Sequence, residues 1–483
     1  MQSNKLESYT FHTRISERGE VLSVGDGIAW ISGLPSSALN QLVAFDDGTQ
    51  SRGMLFTLAD EDVGAIVLDS ESRIQAGTTV RLDEASLAVS VGDSLLGRVV
   101  DPLCRPLDGD EAPRLNEVRA IDVRAPSIAE RDFVHDSLYT GSTIVDTLLP
   151  IGRGQRQLLI GDHGTGKTSL AIDAVVNQRD KDVLCVYVLI GRRRSDVLNV
   201  IDTLRRSDAL RYSVVVVAEA NAPAGLQYIA PYAGCAIAEH WMHRGRHTLV
   251  VYDDLTRHAQ AYRTLSLLLR RPPGREAYPG DIFFLHSRLL ERATVLLPSL
   301  GGGSLTALPI IETEEGEIAD YIPTNLISIT DGQTYFSADL FAAGSLPAID
   351  VTKSVSRVGG RAQAASIRTE AGRIRLDYLQ FLELERFSRL GTRLEASTAA
   401  KIERGRRLRA TLRQGRLSPH SIHYQLGWMI AFNEGMFDSV PQTGIDALLA
   451  RLEQRIAESD LTLDSARSEW KAALQTWTHE QSP

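Results

Sequence analysis

Eight residues constrain this chain more than any others: GDHGTGKT, from Gly161 to Thr168, which satisfies the spacing G-x-x-x-x-G-K-[ST]. The run follows the apolar segment RQLLI and opens the helical segment SLAIDAVV, so it reads as the turn between a strand and a helix. Glycines let backbone N–H groups close around phosphates, and the helix N-terminus adds the positive end of its dipole. Lys167 supplies a point charge to the terminal phosphates, and the Thr168 hydroxyl can ligate magnesium. Gly161, Asp162, His163, Gly164, Thr165, Gly166, Lys167 and Thr168 are therefore the candidate phosphate-binding residues. A second element lies downstream: LVVYDD, Leu249 to Asp254, is an apolar strand ending in carboxylates. Asp253 is the candidate partner of Thr168 for the magnesium hydration shell, and Asp254 can instead cap the following helix.

The surroundings of the loop suit such a site. Between about residues 88 and 365, apolar β-branched runs (RQLLIG, VLCVYVLIG, SVVVVAEA, TLVVYDD, DIFFL) alternate with helical periodicity. Continuous apolar strands spaced by helices imply a parallel sheet covered on both faces. Residues 1–87 carry short strand-like runs punctuated by Gly, Asp and Asn, the signature of a small β-barrel. Over 366–483 the strand signal gives way to Leu, Ala, Arg and Glu at helical spacing, which predicts an α-helical bundle. The expected architecture is thus multidomain: N-terminal β-barrel, central α/β phosphate-loop domain and C-terminal bundle.

A length of 483 residues with 43% hydrophobic content can bury more than one core, in keeping with that division. The net charge of -9 argues against general nucleic-acid binding. The arginine-rich run RGRRLRATLRQGR, Arg404 to Arg416, is interrupted by Leu408 and Leu412 and reads as one charged helix face. No stretch approaches the ~20 apolar residues of a membrane-spanning helix, and MQSNKLESYTFHTR lacks a signal-peptide core, so a soluble, unprocessed chain is expected. Cys104, Cys185 and Cys235 have no metal-ligand spacing and read as buried free thiols of a reducing cytoplasm.

With these residues in view, the chain resembles the alpha subunit of F-type ATP synthases over nearly its whole length. The resemblance is carried, in order, by GEVLSVGDGIAWISGL, LLGRVVDPLCRPLDG, LLPIGRGQRQLLIGDHGTGKTSLAIDAVVNQ, YDDLTRHAQAYR, RRPPGREAYPGDIFFLHSRLLERA, DYIPTNLISITDGQ and SVSRVGGRAQ. It implies ATP or ADP with Mg2+ as ligands and an alternating hexamer of three alpha-type and three beta-type subunits. It also implies a central-stalk gamma subunit, peripheral-stalk subunits, and a place on the cytoplasmic face of the inner membrane, reached only through the complex. The function implied is that of a non-catalytic, nucleotide-binding subunit of a rotary synthase coupled to proton or sodium transport.

Within that resemblance, several residues take particular roles. Catalytic relatives end the strand after the phosphate-loop helix in a Glu that polarises the attacking water; here VLCVYVLIG runs into Arg192, where alpha subunits usually carry Gln. A guanidinium cannot accept a proton, so hydrolysis by this chain is not expected. Arg192 either reaches the terminal phosphate or faces solvent. Arg357 in SVSRVGG matches the arginine that alpha subunits insert into the neighbouring beta site, and Ser354 and Ser328 match positions bordering that interface. LRQGRLSP resembles the adenine-side loop, placing Gln414 and Arg416 near the base, although the family usually has a second Gln at Arg416.

Rival readings are a self-sufficient homohexameric ATPase of the flagellar or type III export class and a hexameric translocase of the transcription-terminator type. Both need a full catalytic set in every subunit, which Arg192 opposes, and the vacuolar-type non-catalytic subunit would normally lack the intact loop. The loop between NQ and VLCVYV is short, as in bacterial members, but the stretch before GEVLSV is shorter than in typical alpha subunits, and Arg192 and the His163–Gly164 pair stand where the family usually has Gln and Arg–Gln. These departures suggest an alternate, sodium-linked branch and put peripheral-stalk attachment in question.

Overall fold

The computed structural model describes residues 17–49, 51–69, 73–115, 117–388 and 395–479. The segment on which the expectations about stalk attachment and signal peptide rest lies largely outside them. Strands Arg18–Gly25, Ile28–Ser32, Gln41–Phe45, Arg52–Leu58, Asp62–Val67 and Thr79–Ser86 close into a six-stranded barrel. Their alternation sends Val21, Ile31, Val43, Leu55, Ala65 and Val80 inward to a core of their own. Ile28, Leu42, Met54 and Ile66 point outward and join the core of the next domain, which explains why the barrel is seated rather than tethered.

The central sheet runs, in spatial order, Val355–Ser356, Gly332–Phe336, Leu158–Asp162, Ser304–Thr313, His247–Asp253, Val183–Arg192, Ser213–Glu219 and Val99–Val100. The pairings from Gly332–Phe336 through to Val99–Val100 are parallel, and Val355–Ser356 adds an antiparallel edge. Strand Val183–Arg192 shows why its sequence is continuously apolar. Leu184, Val186, Val188 and Ile190 enter one core, against the small-residue helix Ala224–Met242. Cys185, Tyr187 and Leu189 enter the other, beneath helices Lys167–Val176 and Arg194–Arg206. A strand buried on both faces has no solvent face to mark with polar residues.

Helices Ala365–Ser388, Ala396–Thr411, Ile422–Asn433, Ile445–Ala457 and Arg467–His479 form the C-terminal domain. Its Trp428, Phe432, Phe381 and Trp470 share a hydrophobic core with the underside of the sheet. The seam is also polar. The wholly buried Asp146 carboxylate accepts from Thr140 N (2.8 Å), Thr140 Oγ1 (2.7 Å), Gly141 N (2.9 Å) and Gln425 Nε2 (2.9 Å) of the bundle. The arginine-rich run lies mainly on helix Ala396–Thr411, with Arg404 paired to Asp377 and Asp438 and Arg409 to Glu385. All three cysteines are buried and free. Among the described residues no helix is long and apolar enough to cross a membrane.

Candidate functional site

The loop Gly161–Thr168 joins strand Leu158–Asp162 to helix Lys167–Val176, at the carboxyl ends of the parallel strands where α/β ligands bind. A side chain at Gly161 would collide with the Phe336 carbonyl on the adjacent strand. Gly166 caps the helix with φ +104, a backbone conformation that L side chains rarely adopt. Asp162 is structural: its Oδ1 accepts from Thr313 Oγ1 (2.6 Å) and Gly316 N (2.8 Å), and its carbonyl accepts from Thr165 Oγ1 (2.7 Å). The buried Lys167 ammonium donates to the carbonyls of Gly161 (2.6 Å) and Asp162 (2.5 Å), held in place at the mouth of the loop. Burial pushes its pKa down, against the pull of Glu312, Asp254 and Asp253.

Strand His247–Asp253 delivers two carboxylates with no exposed side-chain surface. Thr168 Oγ1 donates to Asp253 Oδ2 at 3.0 Å, and the Tyr187 hydroxyl reaches the same oxygen at 3.1 Å. Asp254 caps helix Leu255–Leu268 by accepting from Arg257 N at 2.8 Å. Burial, and then the neighbouring Asp253 and Glu312 charges, push the Asp254 carboxyl up to about 7, and burial also raises that of Asp253.

Arg192 turns inward; its side chain is only 13% exposed. Nη2 lies 3.2 Å from both Thr168 Oγ1 and Asp253 Oδ1, and Nη1 lies 3.3 Å from Asp254 Oδ2 and from Glu312 Oε1. Of the two orientations left open by the sequence, the structure therefore has the one that enters the cleft. Glu312, near the end of strand Ser304–Thr313, also takes the His163 ring at 2.9 Å. Burial pushes the Glu312 carboxyl up, but the His163 hydrogen bond and the Lys167 and Arg192 charges hold it below the ordinary glutamate range. Glu312 was not among the expected site residues. Its signal was the one that singled out Asp253: SLTALPIIET is an apolar run closing on a carboxylate.

Thr168 and Asp253 offer the oxygen donors a magnesium ion prefers. Here, however, they are hydrogen-bonded directly to each other and the Arg192 guanidinium lies against both, so the residues as arranged do not fit a metal ion at that position.

The cleft, about 260 Å³, is lined by the loop, Arg192, Asp196, Asn199, Glu312 and Arg416. Gln414 is not among its lining residues. Its Oε1 accepts from Thr143 N (3.0 Å), and its Nε2 donates to the carbonyls of Gly141 and Ser418 (both 2.7 Å), so this amide frames the loop that presents Arg416. Leu417 N donates to Asp173 Oδ1 on the phosphate-loop helix at 2.9 Å, a second tether of that loop.

Arg357, Ser354 and Ser328 lie away from this cleft. Arg357 follows the edge strand Val355–Ser356, its side chain exposed and without an ion pair among the described residues, while its N–H donates to Asp331 O at 2.9 Å. Asp331 precedes strand Gly332–Phe336, whose far end, Phe336, pairs with Gly161. Five residues of strand separate the two levels, about 16 Å. Arg357 is thus at the opposite end of the sheet from its own phosphate loop. Ser354 is buried, accepting from Tyr335 N (2.9 Å) and donating to Asp350 O (2.6 Å). Ser328 is exposed on helix Tyr321–Ile329 and donates to Thr324 O at 2.8 Å.

A barrel, a phosphate-loop sheet domain and a helical bundle in this order define the class: the chain belongs to the ATP synthase alpha/beta family. The family's β-barrel domain matches residues 15–82, its nucleotide-binding domain 141–356 and its C-terminal domain 363–474. Within the family it is an ATP synthase alpha subunit. It is 56% identical over 476 residues to ATP synthase subunit alpha 1 of Legionella pneumophila (strain Paris), covering 99% of this chain and 97% of that one. It is 54% identical over 470 residues to subunit alpha 1 of Hahella chejuensis (97% and 94% covered), and 53% over 428 residues to subunit alpha 2 of Nitrosospira multiformis (88% and 83%).

Proposed function

We propose that this chain is the non-hydrolysing, ATP- or ADP-binding alpha subunit of a rotary ATP synthase or ATPase, and that Arg357 completes a catalytic site on an adjacent beta subunit. The observation that carries the first half is Arg192. Where a hydrolysing subunit needs a base for the attacking water, a guanidinium lies against Asp253 and Glu312. The nearby Glu312 is a poor substitute, because a carboxylate held below its ordinary range and paired with a cation accepts a proton weakly. The position of Arg357 supports the second half: exposed, and too far from its own loop to serve it, its charge is available only to another subunit. Ser328 and Ser354 would border that contact, Ser354 by holding the edge strand that leads to Arg357.

In this reading three copies alternate with three beta subunits around a gamma shaft. The assembly sits on the cytoplasmic face of the inner membrane, joined there by its other subunits, and is coupled to protons or, in an alternate branch, to sodium ions. The same geometry disfavours a homohexameric export-type ATPase, which would need a competent base in every copy. The test is turnover. The purified chain should bind ATP without hydrolysing it, and the complex rebuilt with its beta partner should hydrolyse. Robust hydrolysis by the chain alone would overturn the assignment. Arg357→Ala should leave ATP binding by the isolated chain intact and lower turnover of the complex by about 10³-fold or more; near-normal turnover would remove the donated-arginine role.

A further inference from the structure

We propose that Arg192 takes the place of the magnesium ion in this nucleotide site, so that the chain holds ATP or ADP with little dependence on a divalent cation. The inference rests on reading the cleft as a nucleotide site. Its ground is where the guanidinium lies. Magnesium ligates oxygen at about 2.0–2.1 Å in a near-octahedral shell and keeps several waters. An ion bound to Thr168 Oγ1 and facing Asp253 would lie where Arg192 Nη2 already stands, 3.2 Å from each oxygen. The Thr168 hydroxyl is used in both directions, donating to Asp253 Oδ2 and accepting from Arg192.

Displacing Arg192 is not a simple rotamer change. Its two terminal nitrogens face three carboxylates, and the Asp253 and Asp254 side chains have no exposed surface. Withdrawing the cation would leave both buried acids without their nearest positive charge, a strongly unfavourable state. A divalent ion would have to replace that charge while leaving room for its own hydration shell. The guanidinium supplies what the ion would otherwise bring, a fixed positive charge beside the terminal phosphates. Its buried Nε–H makes no hydrogen bond among the described residues, and a phosphate oxygen is an acceptor suited to it. The bidentate fork also suits phosphate better than a side-chain amide, which carries no charge.

The experiment is calorimetric titration of the full-length chain with ATP, once in excess EDTA and once in magnesium, repeated for Arg192→Gln and Arg192→Lys. The wild type should bind with dissociation constants agreeing within about threefold in the two buffers. Arg192→Gln should bind weakly in EDTA and recover about tenfold or more when magnesium is added. Arg192→Lys, which keeps a cation, should stay closer to the wild type. Binding by the wild type only in the presence of magnesium would overturn the proposal while leaving the nucleotide site standing. Failure to bind in either buffer would overturn the nucleotide reading and this proposal with it. The wild-type comparison decides between these outcomes even if a variant fails to fold.

Discussion

Glu239 offers the sharpest test of how the nucleotide domain is held together. It lies on helix Ala224–Met242, and its carboxylate receives Arg292 Nε at 2.8 Å, Arg292 Nη2 at 2.6 Å and Arg119 Nε at 3.1 Å. Arg292 and Glu239 are each 1% exposed, and among the described residues the only other acceptor of Arg292 is Ile121 O at 2.7 Å. Replacing Glu239 with Leu removes all three charge-assisted bonds and strands the Arg292 guanidinium in a medium that solvates it poorly. Breaking a buried pair in this way costs about 3–5 kcal/mol. Replacing both partners, as Glu239→Leu with Arg292→Met, removes the stranded charge, and the double variant should lie within about 2 kcal/mol of the wild type. Native-state amide exchange in helix Ala224–Met242 reads both values. The single variant should exchange about two to four orders of magnitude faster, and the double variant should recover most of that loss. If the two changes were simply additive, so that the double variant exchanged faster than either single, the pair would not act as a compensated unit.

Three other outcomes are expected. Lys167→Met should weaken ATP binding by about a hundredfold, the value of one to two charge-assisted bonds, as measured by calorimetry on the isolated chain. Gln414→Ala removes three hydrogen bonds from the loop carrying Arg416; if that loop holds the base as the resemblance implies, it should weaken ATP about three- to tenfold and leave inorganic triphosphate binding unchanged, because only the Arg416 end of the cleft loosens. Burial alone would raise the carboxyls of Glu239 and Glu370, but Arg292 with Arg119, and Arg467 with Asn433, hold them below the ordinary glutamate range. A depressed folded-state pKa contributes stability that is complete above the unfolded value and lost as pH falls through the folded one. Thermal unfolding should therefore shift downward as pH drops below about 4.5, and Glu370→Gln should flatten that acid limb.

The plan of barrel, sheet domain and helical bundle was legible because burial writes itself into residue order. Continuous apolar runs such as VLCVYVLI mark strands covered on both faces, and the shorter punctuated runs before Leu87 mark a barrel. The phosphate loop was legible for a different reason, since its backbone path requires particular glycines at particular places. Asp253 and Asp254 could be found because they interrupt an apolar strand. What could not be read was the direction of a side chain whose partners are remote. Arg192 is steered inward by Asp254, 62 positions away, and by Glu312, 120 positions away, and no local pattern records that. Gln414 shows the same limit, since its amide is engaged by Gly141 and Thr143, more than 270 positions upstream.

The loop that presents Arg416 to the cleft has a mechanical consequence. Leu417 is tied to Asp173, a residue of the very helix that begins with Lys167, while Gln414 and His420 are tied to Gly141 and Thr143. Any tilt of the bundle relative to the sheet therefore strains both attachments together. A shift of the C-terminal helices is thereby transmitted to the helix that opens with Lys167.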